Sequence, residues 1–214
     1  MIKAVIFDMD GVLMDTREAY YKAARRLFKE EYGKTITRKG YESMFGREDR
    51  AVIKHFLKKF GLKGDVEELR LKKREMVQLQ EKGNLKIFPG AKELVRTLSK
   101  EYKLALTSST WKTIVKNALD EFGMRKYFTA IVGKEDVKRH KPDPEPYLIT
   151  AKKLGVKPSE CVVVEDSVAG VEAGKRAGTK VIAVMTSYHK DKLRKADLIV
   201  NSIKQIKIEQ FRKL

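Results

Sequence analysis

The chain is poor in cysteine and contains no long apolar segment. Its 214 residues include one cysteine, Cys161, which excludes an internal disulfide framework and is typical of a reducing compartment. No run approaches the roughly 20 apolar residues that a membrane-spanning helix needs. The short apolar stretch near the N-terminus is interrupted by Asp8 and Asp10, which is atypical of a signal peptide. We therefore expect a cytoplasmic protein with no membrane partner.

Histidine is also scarce, and acidic residues are outnumbered by basic ones. The three histidines, His55, His140 and His189, are scattered along the chain, so we expect no zinc site. Lys and Arg number 47 against 29 Asp and Glu, a net charge of +18. The segment 15–85 holds 19 basic and 12 acidic residues, or +7 of that total, so the excess is spread roughly in proportion to length. This favours a generally basic surface over a nucleic-acid site, and we expect no nucleic-acid partner.

Apolar runs and helical periodicity divide the chain into two parts. Residues 2–8 predict a buried strand. The next part shows helical patterns only, over 17–32, 47–60 and 66–82. From residue 86 the patterns alternate, with strands expected at 103–107, 129–132, 161–164, 180–184 and 198–200 and helices at 91–100, 111–122, 144–154 and 168–177. We predict an α/β fold with a doubly wound, mostly parallel sheet, built from residues 1–14 and 86–214, and an all-helical domain, residues 15–85, inserted after the first strand.

The ends of these strands carry the polar residues of interest. In an open parallel sheet, ligands bind beyond the carboxyl ends of the strands. The candidates there are Asp8, Asp10, Gly11, Thr107, Ser108, Ser109, Thr110, Lys141, Glu165, Asp166 and Ser167. Four carboxylates on two strands of one sheet edge need a counter-charge. A hard cation with oxygen ligands, Mg²⁺, is the simplest answer.

Asp8 and Asp10 are two residues apart, so their side chains can face the same way. Gly11 permits a tight turn directly after them. One carboxylate can then attack an electrophile while the other carries a proton, and a carboxylate nucleophile that forms an acyl phosphate is a known form of covalent catalysis. Such an attack needs a phosphate whose negative charge is neutralised, and a metal and a lysine supply that neutralisation.

Four stretches together resemble the haloacid dehalogenase-like phosphohydrolase superfamily. They are "DMDGVLMDT" from Asp8, Ser108 at the end of its strand, Lys141 before "PDPEPY", and "VVVEDSVAGVEAGKRAG" from Val162. Their order is that of the family, and the resemblance covers nearly the whole chain. It is closest to members with a helical cap after the first strand, which include phosphoglycolate phosphatase, sugar-phosphate phosphatases and β-phosphoglucomutase. The resemblance implies an Mg²⁺-dependent enzyme that acts on a small phosphorylated metabolite.

The resemblance also implies a role for each matching residue. Asp8 resembles the nucleophile that becomes phospho-aspartate, and Asp10 resembles the acid and base whose backbone carbonyl also binds Mg²⁺. Ser108 resembles the hydroxyl that binds the phosphoryl oxygens, with Ser109 or Thr107 as alternatives. Lys141 resembles the neutralising lysine. The metal ligands implied are Asp8, Asp10 and Asp166, with Glu165 as a further ligand or a partner behind them.

The inserted domain leaves several alternatives open. Thr16 is expected either to cap the first inserted helix, together with Asp15, or to act at a hinge or on substrate. Arg47 lies close to the position of the family's substrate-phosphate arginine, and Lys73 or Arg74 are further candidates for an acidic group of the substrate. The family's mutase has a histidine at the position where this chain has Tyr20. It also has a lysine in its cap that has no counterpart in this chain.

These departures favour a phosphatase that hydrolyses a sugar phosphate or a phosphoglycolate-like ester through a phospho-aspartate. A β-phosphoglucomutase-type mutase is the alternative. A catalytically silent binding protein is less favoured, because Asp8, Asp10, Lys141 and Asp166 are all present. The acid at Asp10 argues against a true dehalogenase. We expect a monomer.

Overall fold

A computed structural model describes residues 1–44, 49–80 and 85–214 of the chain. Its strands are β1 (Ala4–Phe7), β2 (Met14–Asp15), β3 (Lys86–Ile87), β4 (Lys103–Thr107), β5 (Ala130–Val132), β6 (Cys161–Glu165), β7 (Lys180–Val184) and β8 (Leu198–Val200). Six of them form a parallel sheet in the order β5-β4-β1-β6-β7-β8. The other two, β2 and β3, form a separate antiparallel ribbon. The predicted α/β class with a parallel sheet is confirmed.

Ten α-helices lie in the described residues. They are α1 (Arg17–Tyr32), α2 (Arg38–Glu42), α3 (Asp49–Phe60), α4 (Val66–Gln80), α5 (Ala91–Leu98), α6 (Lys112–Glu121), α7 (Glu145–Leu154), α8 (Val168–Arg176), α9 (Lys190–Leu193) and α10 (Ile208–Lys213). Short 3₁₀ turns lie at Arg125–Tyr127, Lys134–Asp136, Pro158–Glu160 and Ile203–Gln205. Within the described residues, every helix is too short or too polar to cross a membrane.

The chain divides into two compact units, Met1–Asp15 with Lys86–Leu214, and Thr16–Leu85. We call them the α/β unit and the helical unit. In the α/β unit the central strands are continuous apolar runs: β1 and β6 are buried along their whole length. Strands of this kind belong in the middle of a parallel sheet that helices cover on both faces. The carboxyl ends of β4, β1 and β6 therefore lie side by side.

Aromatic side chains fill the core of the helical unit. Phe28 on α1 lies 5.9 Å from Phe56 and 6.1 Å from Phe60 of α3, measured between ring centroids. Tyr41 of α2 stacks on Phe56 at 6.5 Å. Gly33 ends α1 with a positive φ of 66°, a conformation that glycine adopts without steric cost. The amphipathic pattern that predicted these helices thus corresponds to one buried aromatic face.

The periodicity misses short elements and places some ends differently. Helix α2 is absent from the expectation because five residues give almost no periodic signal, and Thr37 starts it by accepting a hydrogen bond from the Gly40 N–H at 3.2 Å. The helices α9 and α10 were missed for the same reason. The helix expected to begin at residue 47 is described from Asp49, and residues 47 and 48 lie outside the described ranges, as do residues 81 and 82 of the third predicted helix.

A buried cation lies within the helical unit. Lys73 of α4 is fully buried, forms an ion pair with Asp49, and donates to the Tyr41 hydroxyl at 3.3 Å. Its ammonium nitrogen lies 5.1 Å from the centroid of the Tyr20 ring. The Lys73 ammonium thus contacts partners within the helical unit, and we do not propose it as a substrate contact.

This pair gives an asymmetric stability prediction. The Lys73 side chain is 1% exposed, whereas that of Asp49 is 29% exposed. Asp49→Asn leaves a buried ammonium without a counter-ion, so we expect a loss of about 3 kcal/mol in the free energy of unfolding. Lys73→Met leaves a carboxylate that can turn to water and an apolar chain among aromatic rings, so we expect a change within about 1 kcal/mol. Denaturant unfolding of both variants tests this, and an equal or reversed ranking contradicts it.

Candidate active site

The sheet register brings the ends of three strands together. Phe7 of β1 lies opposite Leu106 of β4 and Val164 of β6. The residues that follow are therefore neighbours at one edge, and the Asp8 N–H donates to the Val164 carbonyl at 3.0 Å. Because β1 ends at Phe7, the Asp8 carboxylate lies at the carboxyl edge of the sheet.

Lys141 joins the carboxylates of two strands. Its Nζ donates to Asp8 Oδ1 at 2.6 Å and to Glu165 Oε1 at 2.7 Å. The three side chains are between 1% and 10% exposed. These are short, charge-assisted hydrogen bonds in a site with little water, where such bonds are strong.

The loop that carries Lys141 is fastened to the start of α7. The Glu145 carboxylate accepts hydrogen bonds from the Lys138 N–H at 2.7 Å and from the Arg139 N–H at 3.2 Å. Asp143 in turn accepts from the Glu145 N–H at 2.9 Å. These local bonds fix the backbone on both sides of Lys141, and its ammonium is therefore held in position from a loop.

Glu165 is saturated with hydrogen bonds. Its Oε1 accepts from Lys141 and from the Tyr147 hydroxyl at 2.8 Å. Its Oε2 accepts from the Asp166 N–H at 2.9 Å and from the Ser167 N–H and hydroxyl, both at 3.0 Å. A carboxylate offers about four lone-pair positions. Glu165 therefore serves to position its neighbours, and little of its capacity is left for a metal.

Two glycines allow backbone to lie against these carboxylates. A Cβ at Gly11 would overlap the Asp166 carboxylate, and the positive φ of Gly11, 80°, is one that other residues rarely adopt. A Cβ at Gly170 of α8 would overlap the Glu165 carboxylate. Gly11 thus acts through its conformation: it turns the chain after Asp10 at the surface of the carboxylate cluster.

The hydroxyl loop after β4 lies next to Asp10. The Thr110 hydroxyl is 3.4 Å from Asp10 Oδ2, and the Thr110 N–H donates to Ser108 Oγ at 3.0 Å. The Thr107 hydroxyl pairs instead with the Thr150 hydroxyl of α7 at 2.7 Å in the buried interior, which removes Thr107 as a candidate phosphate ligand. Ser108 is buried at the edge and Ser109 follows it, half-buried.

The electrostatics of the cluster are dominated by excess negative charge. Burial raises the pKa of Asp8 well above its ordinary value, and Lys141 opposes this only in part. The carboxylates of Glu165, Asp10 and Asp166 raise the pKa of Asp8 further. Burial, together with Glu165, raises the pKa of Asp166 to about 8. One ammonium therefore does not neutralise the acids gathered at this edge.

The pKa values of Lys141 and Glu165 are shifted in the directions that keep both groups charged. Burial lowers the pKa of Lys141, but the charges of Asp8 and Glu165 outweigh burial and hold that pKa well above its ordinary value. Burial raises the pKa of Glu165, but Lys141 and the hydrogen bonds it accepts hold that pKa below its ordinary value. Lys141 and Glu165 are thus a fixed ion pair, and the uncompensated charge lies on Asp8 and Asp166.

A divalent cation fits this arrangement. Oxygens of Asp8, Glu165 and Asp166 lie within 4.8 Å of one another. All three residues are buried, and burial together with the neighbouring carboxylates raises the pKa of Asp8 and that of Asp166. Oxygen-only donors are typical ligands of Mg²⁺ and Ca²⁺. The site therefore has the chemistry of a hard-cation site.

Two predicted site residues belong to the other unit. Thr16 is buried and occupies the N-cap position of α1, but its side chain makes no capping hydrogen bond. The prediction that the Thr16 side chain caps this helix is therefore wrong. Arg47 lies outside the described residues. Tyr20, the position at which the family resemblance implies a histidine in the mutase, lies in the first turn of α1.

The sequence analysis missed three residues whose hydroxyl groups contact the residues of this site. Tyr147 lies inside the quoted "PDPEPY" stretch, in the first turn of α7. Thr186 and Ser187 follow β7, and applying the strand-end rule to one more strand would have found them. The Ser187 hydroxyl donates to Asp166 Oδ2, and the Thr186 hydroxyl donates to the Gly11 carbonyl.

Comparison with known proteins identifies the family of this chain. A sequence model of the haloacid dehalogenase-like hydrolase family matches residues 5–184. The chain belongs to this family, as the sequence motifs predicted. This family match also confirms the prediction that the protein is a hydrolase.

Individual relatives span nearly the whole chain. A phosphorylated carbohydrates phosphatase from Thermotoga maritima is 36% identical and covers 96% of this chain and 100% of its own length. A fructose-1-phosphate phosphatase from Escherichia coli is 28% identical over 84% of this chain and 95% of its own. The crystal structure of β-phosphoglucomutase from Clostridium difficile is 30% identical, with a TM-score of 0.75 over 100% of this chain and 96% of that one.

Proposed function

We propose that this protein is a Mg²⁺-dependent phosphatase that hydrolyses a small phosphomonoester through a phospho-aspartate intermediate. The observation that carries the proposal is the Lys141 ammonium, which lies between the carboxylates of Asp8 and Glu165 at the carboxyl edge of the sheet. A nucleophilic carboxylate held beside a fixed cation is the arrangement that phosphoryl transfer to aspartate requires.

The first half-reaction transfers the phosphoryl group to the protein. An Asp8 oxygen forms a bond to phosphorus while the bond from phosphorus to the ester oxygen breaks. Asp10 gives a proton to that oxygen, which leaves as an alcohol. Lys141 and the Ser108 hydroxyl bind the phosphoryl oxygens and stabilise their charge in the transition state.

The second half-reaction returns the phosphoryl group to water. Asp10, now ionised, accepts a proton from a water molecule, and the oxygen of that water forms a bond to phosphorus. The bond from phosphorus to the Asp8 oxygen breaks, which releases inorganic phosphate, returns Asp8 to a carboxylate and leaves Asp10 protonated, as at the start of the cycle. Asp10 thus needs the half-buried position beside Thr110 that lets it meet both the leaving group and water.

Asp8, Asp166 and the backbone carbonyl of Asp10 are the groups we propose to hold Mg²⁺. When bound, the ion supplies the positive charge that lets an anionic nucleophile approach an anionic phosphate. Glu165 acts behind these ligands, since both of its oxygens are engaged by hydrogen bonds. It fixes the Lys141 ammonium and, through the Asp166 N–H, the start of the loop that carries Asp166.

The helical unit is the proposed cap, with its predicted bounds at residues 15–85. We propose that it receives the part of the substrate that does not react, with Thr16 and Arg47 as contacts. The T. maritima and E. coli relatives are named for phosphorylated carbohydrates and fructose 1-phosphate, which supports a sugar phosphate as substrate, with a phosphoglycolate-like ester as a second class. A monomer in the cytoplasm remains our proposal.

Metal removal tests the proposal directly. We expect phosphate release from at least one member of a panel of sugar phosphates and phosphoglycolate in the presence of Mg²⁺. EDTA should reduce the rate by about 10³-fold or more, because the buried carboxylates then repel the phosphate, and added Mg²⁺ should restore it. Colorimetric phosphate measurement follows the reaction. Absence of turnover on every panel member with Mg²⁺ present would overturn the hydrolase assignment.

A mutase remains the second candidate because the C. difficile structure of that name matches along the whole chain. The two reactions differ in the fate of the phosphoryl group on Asp8. Incubation with β-glucose 1-phosphate separates them: a phosphatase releases glucose and phosphate in equal amounts, and a mutase yields glucose 6-phosphate. Tyr20 in place of the mutase histidine favours hydrolysis.

A further inference from the structure

The loop after β7 brings two hydroxyl groups to the carboxylate cluster. The Ser187 hydroxyl donates to Asp166 Oδ2, and the Thr186 hydroxyl donates to the Gly11 carbonyl. Neither residue belongs to the four stretches that carry the family resemblance. We call Thr186 and Ser187 the hydroxyl pair.

We propose that the hydroxyl pair positions the cation site, and that Ser187 in particular sets its affinity for Mg²⁺. The proposal rests on the function assigned above. Ser187 commits one oxygen of Asp166 to the protein and so fixes the direction of the carboxylate. Thr186 holds the turn that follows Asp10, whose backbone carbonyl is a proposed ligand.

The two contacts act on atoms that abut one another. A Cβ placed on Gly11 would fall on Asp166 Oδ2 and lie 3.1 Å from Ser187 Oγ. The Gly11 backbone, the Asp166 carboxylate and the Ser187 hydroxyl are therefore in close contact. Because Thr186 holds Gly11 while Ser187 holds Asp166, the pair fixes the spacing between the turn after β1 and the loop after β6.

The hydroxyl pair is itself held by the sheet. The Met185 N–H donates to the Val200 carbonyl of β8, and the Thr186 N–H donates to the Val184 carbonyl, both at 2.9 Å. Strand β7 is paired along one side with β6, which carries Glu165 at its end. The hydroxyls are thus presented by backbone in the same parallel sheet as the proposed ligands, a placement that suits positioning groups.

Carboxylate ligands of metals are ordinarily hydrogen-bonded by groups behind them, and loss of such a group costs about 10–100-fold in metal affinity. For Ser187→Ala we expect the Kd for Mg²⁺, measured by titration calorimetry without substrate, to rise by about that factor. At saturating Mg²⁺, kcat should stay within about 3-fold of the original, since the hydroxyl touches no reacting atom. Ser187→Thr keeps the hydroxyl and should keep the original Kd.

Two controls make the result specific. Ser159→Ala removes an exposed hydroxyl in the turn before β6 and should leave the Kd unchanged. Thr186→Val removes only the bond to Gly11, so it keeps the inference testable if Ser187→Ala does not fold, and we expect a weakened Kd there too. Thermal melting with and without Mg²⁺ gives a second measure of binding.

Several outcomes would overturn the inference. One is an unchanged Kd in both Ser187→Ala and Thr186→Val; another is a Kd raised equally by Ser187→Ala and Ser187→Thr, since the hydroxyl would then not be the cause. Failure of the proposed function looks different: the unaltered protein would neither bind Mg²⁺ nor release phosphate from any panel member.

Discussion

Asp8→Asn is expected to abolish turnover and to leave the fold intact. The amide is not a nucleophile, so no phospho-aspartate forms, and we expect a loss of at least about 10⁴-fold in kcat. Asparagine has nearly the same shape as aspartate, and the amide oxygen can still accept from Lys141. Phosphate release measures turnover, and acid-stable labelling of the protein by ³²P-substrate measures the formation of phospho-aspartate.

The same variant should be at least as stable as the original protein without metal. The pKa of Asp8 is raised well above its ordinary value, first by burial. At neutral pH the unfolded chain therefore releases the Asp8 proton more readily than the folded chain, and ionised Asp8 lowers the stability of the fold. Asparagine removes that charge, and the melting temperature should rise or stay equal.

Asp191→Asn is the matched control, because Asp191 is an exposed residue of α9. It should change neither activity nor melting temperature. Activity of Asp8→Asn close to that of the original protein would remove Asp8 from the nucleophile role.

Lys141→Met is expected to remove activity and stability together. The ammonium bonds two buried carboxylates at 2.6 and 2.7 Å, and methionine leaves both without a cation. Breaking a buried ion pair by removing one partner costs about 3–5 kcal/mol, and the loss of a charge that stabilises the transition state should reduce kcat on the order of 10³-fold. Denaturant unfolding and phosphate release measure the two effects.

The pH dependence of this loss has a definite sign. Without Lys141 the pKa of Glu165 is no longer held below its ordinary value, and burial then raises it. Buried acids with raised pKa values destabilise the folded state increasingly as pH rises from acid to neutral. The stability gap between Lys141→Met and the original protein should therefore be wider at pH 8 than at pH 5.

Lys152→Met on the exposed side of α7 serves as the control for charge removal. A stability gap for Lys141→Met that is absent, or that narrows as pH rises, would contradict the ion-pair account. The contrast with Asp8→Asn is itself informative: one variant should be inactive but stable, the other inactive and unstable.

The sequence predicted the α/β unit more completely than the helical unit. Strands β4, β7 and β8 have the bounds that their apolar runs predicted, because a strand buried on both faces has a continuous apolar signature. Helix α2 was missed because its five residues carry little periodicity. The strand-end rule also named Asp8 and Glu165, since position in a parallel sheet follows from topology alone.

The hydrogen-bond partners of the site were harder to predict. Whether Glu165 binds a cation or positions its neighbours depends on how many donors converge on it, and those donors come from α7, from the loop after β6 and from its own neighbour. The strand-end rule could have named Ser187 and Thr186, but not their partners, the Asp166 carboxylate and the Gly11 carbonyl. Hydrogen bonds of this kind cannot be predicted from the local pattern of residue types along the chain.

The small ribbon of β2 and β3 has a consequence for how this chain can be rebuilt. It pairs Met14 with Ile87 and Asp15 with Lys86, so the two points where the chain leaves and re-enters the α/β unit are adjacent, like the strands of a hairpin. The entropy of closing a loop grows only slowly with its length, and here the closure is already made by paired backbone. The α/β unit can thus carry segments of very different size at this junction, and the junction is a natural site for exchanging one inserted module for another while the catalytic edge keeps its register.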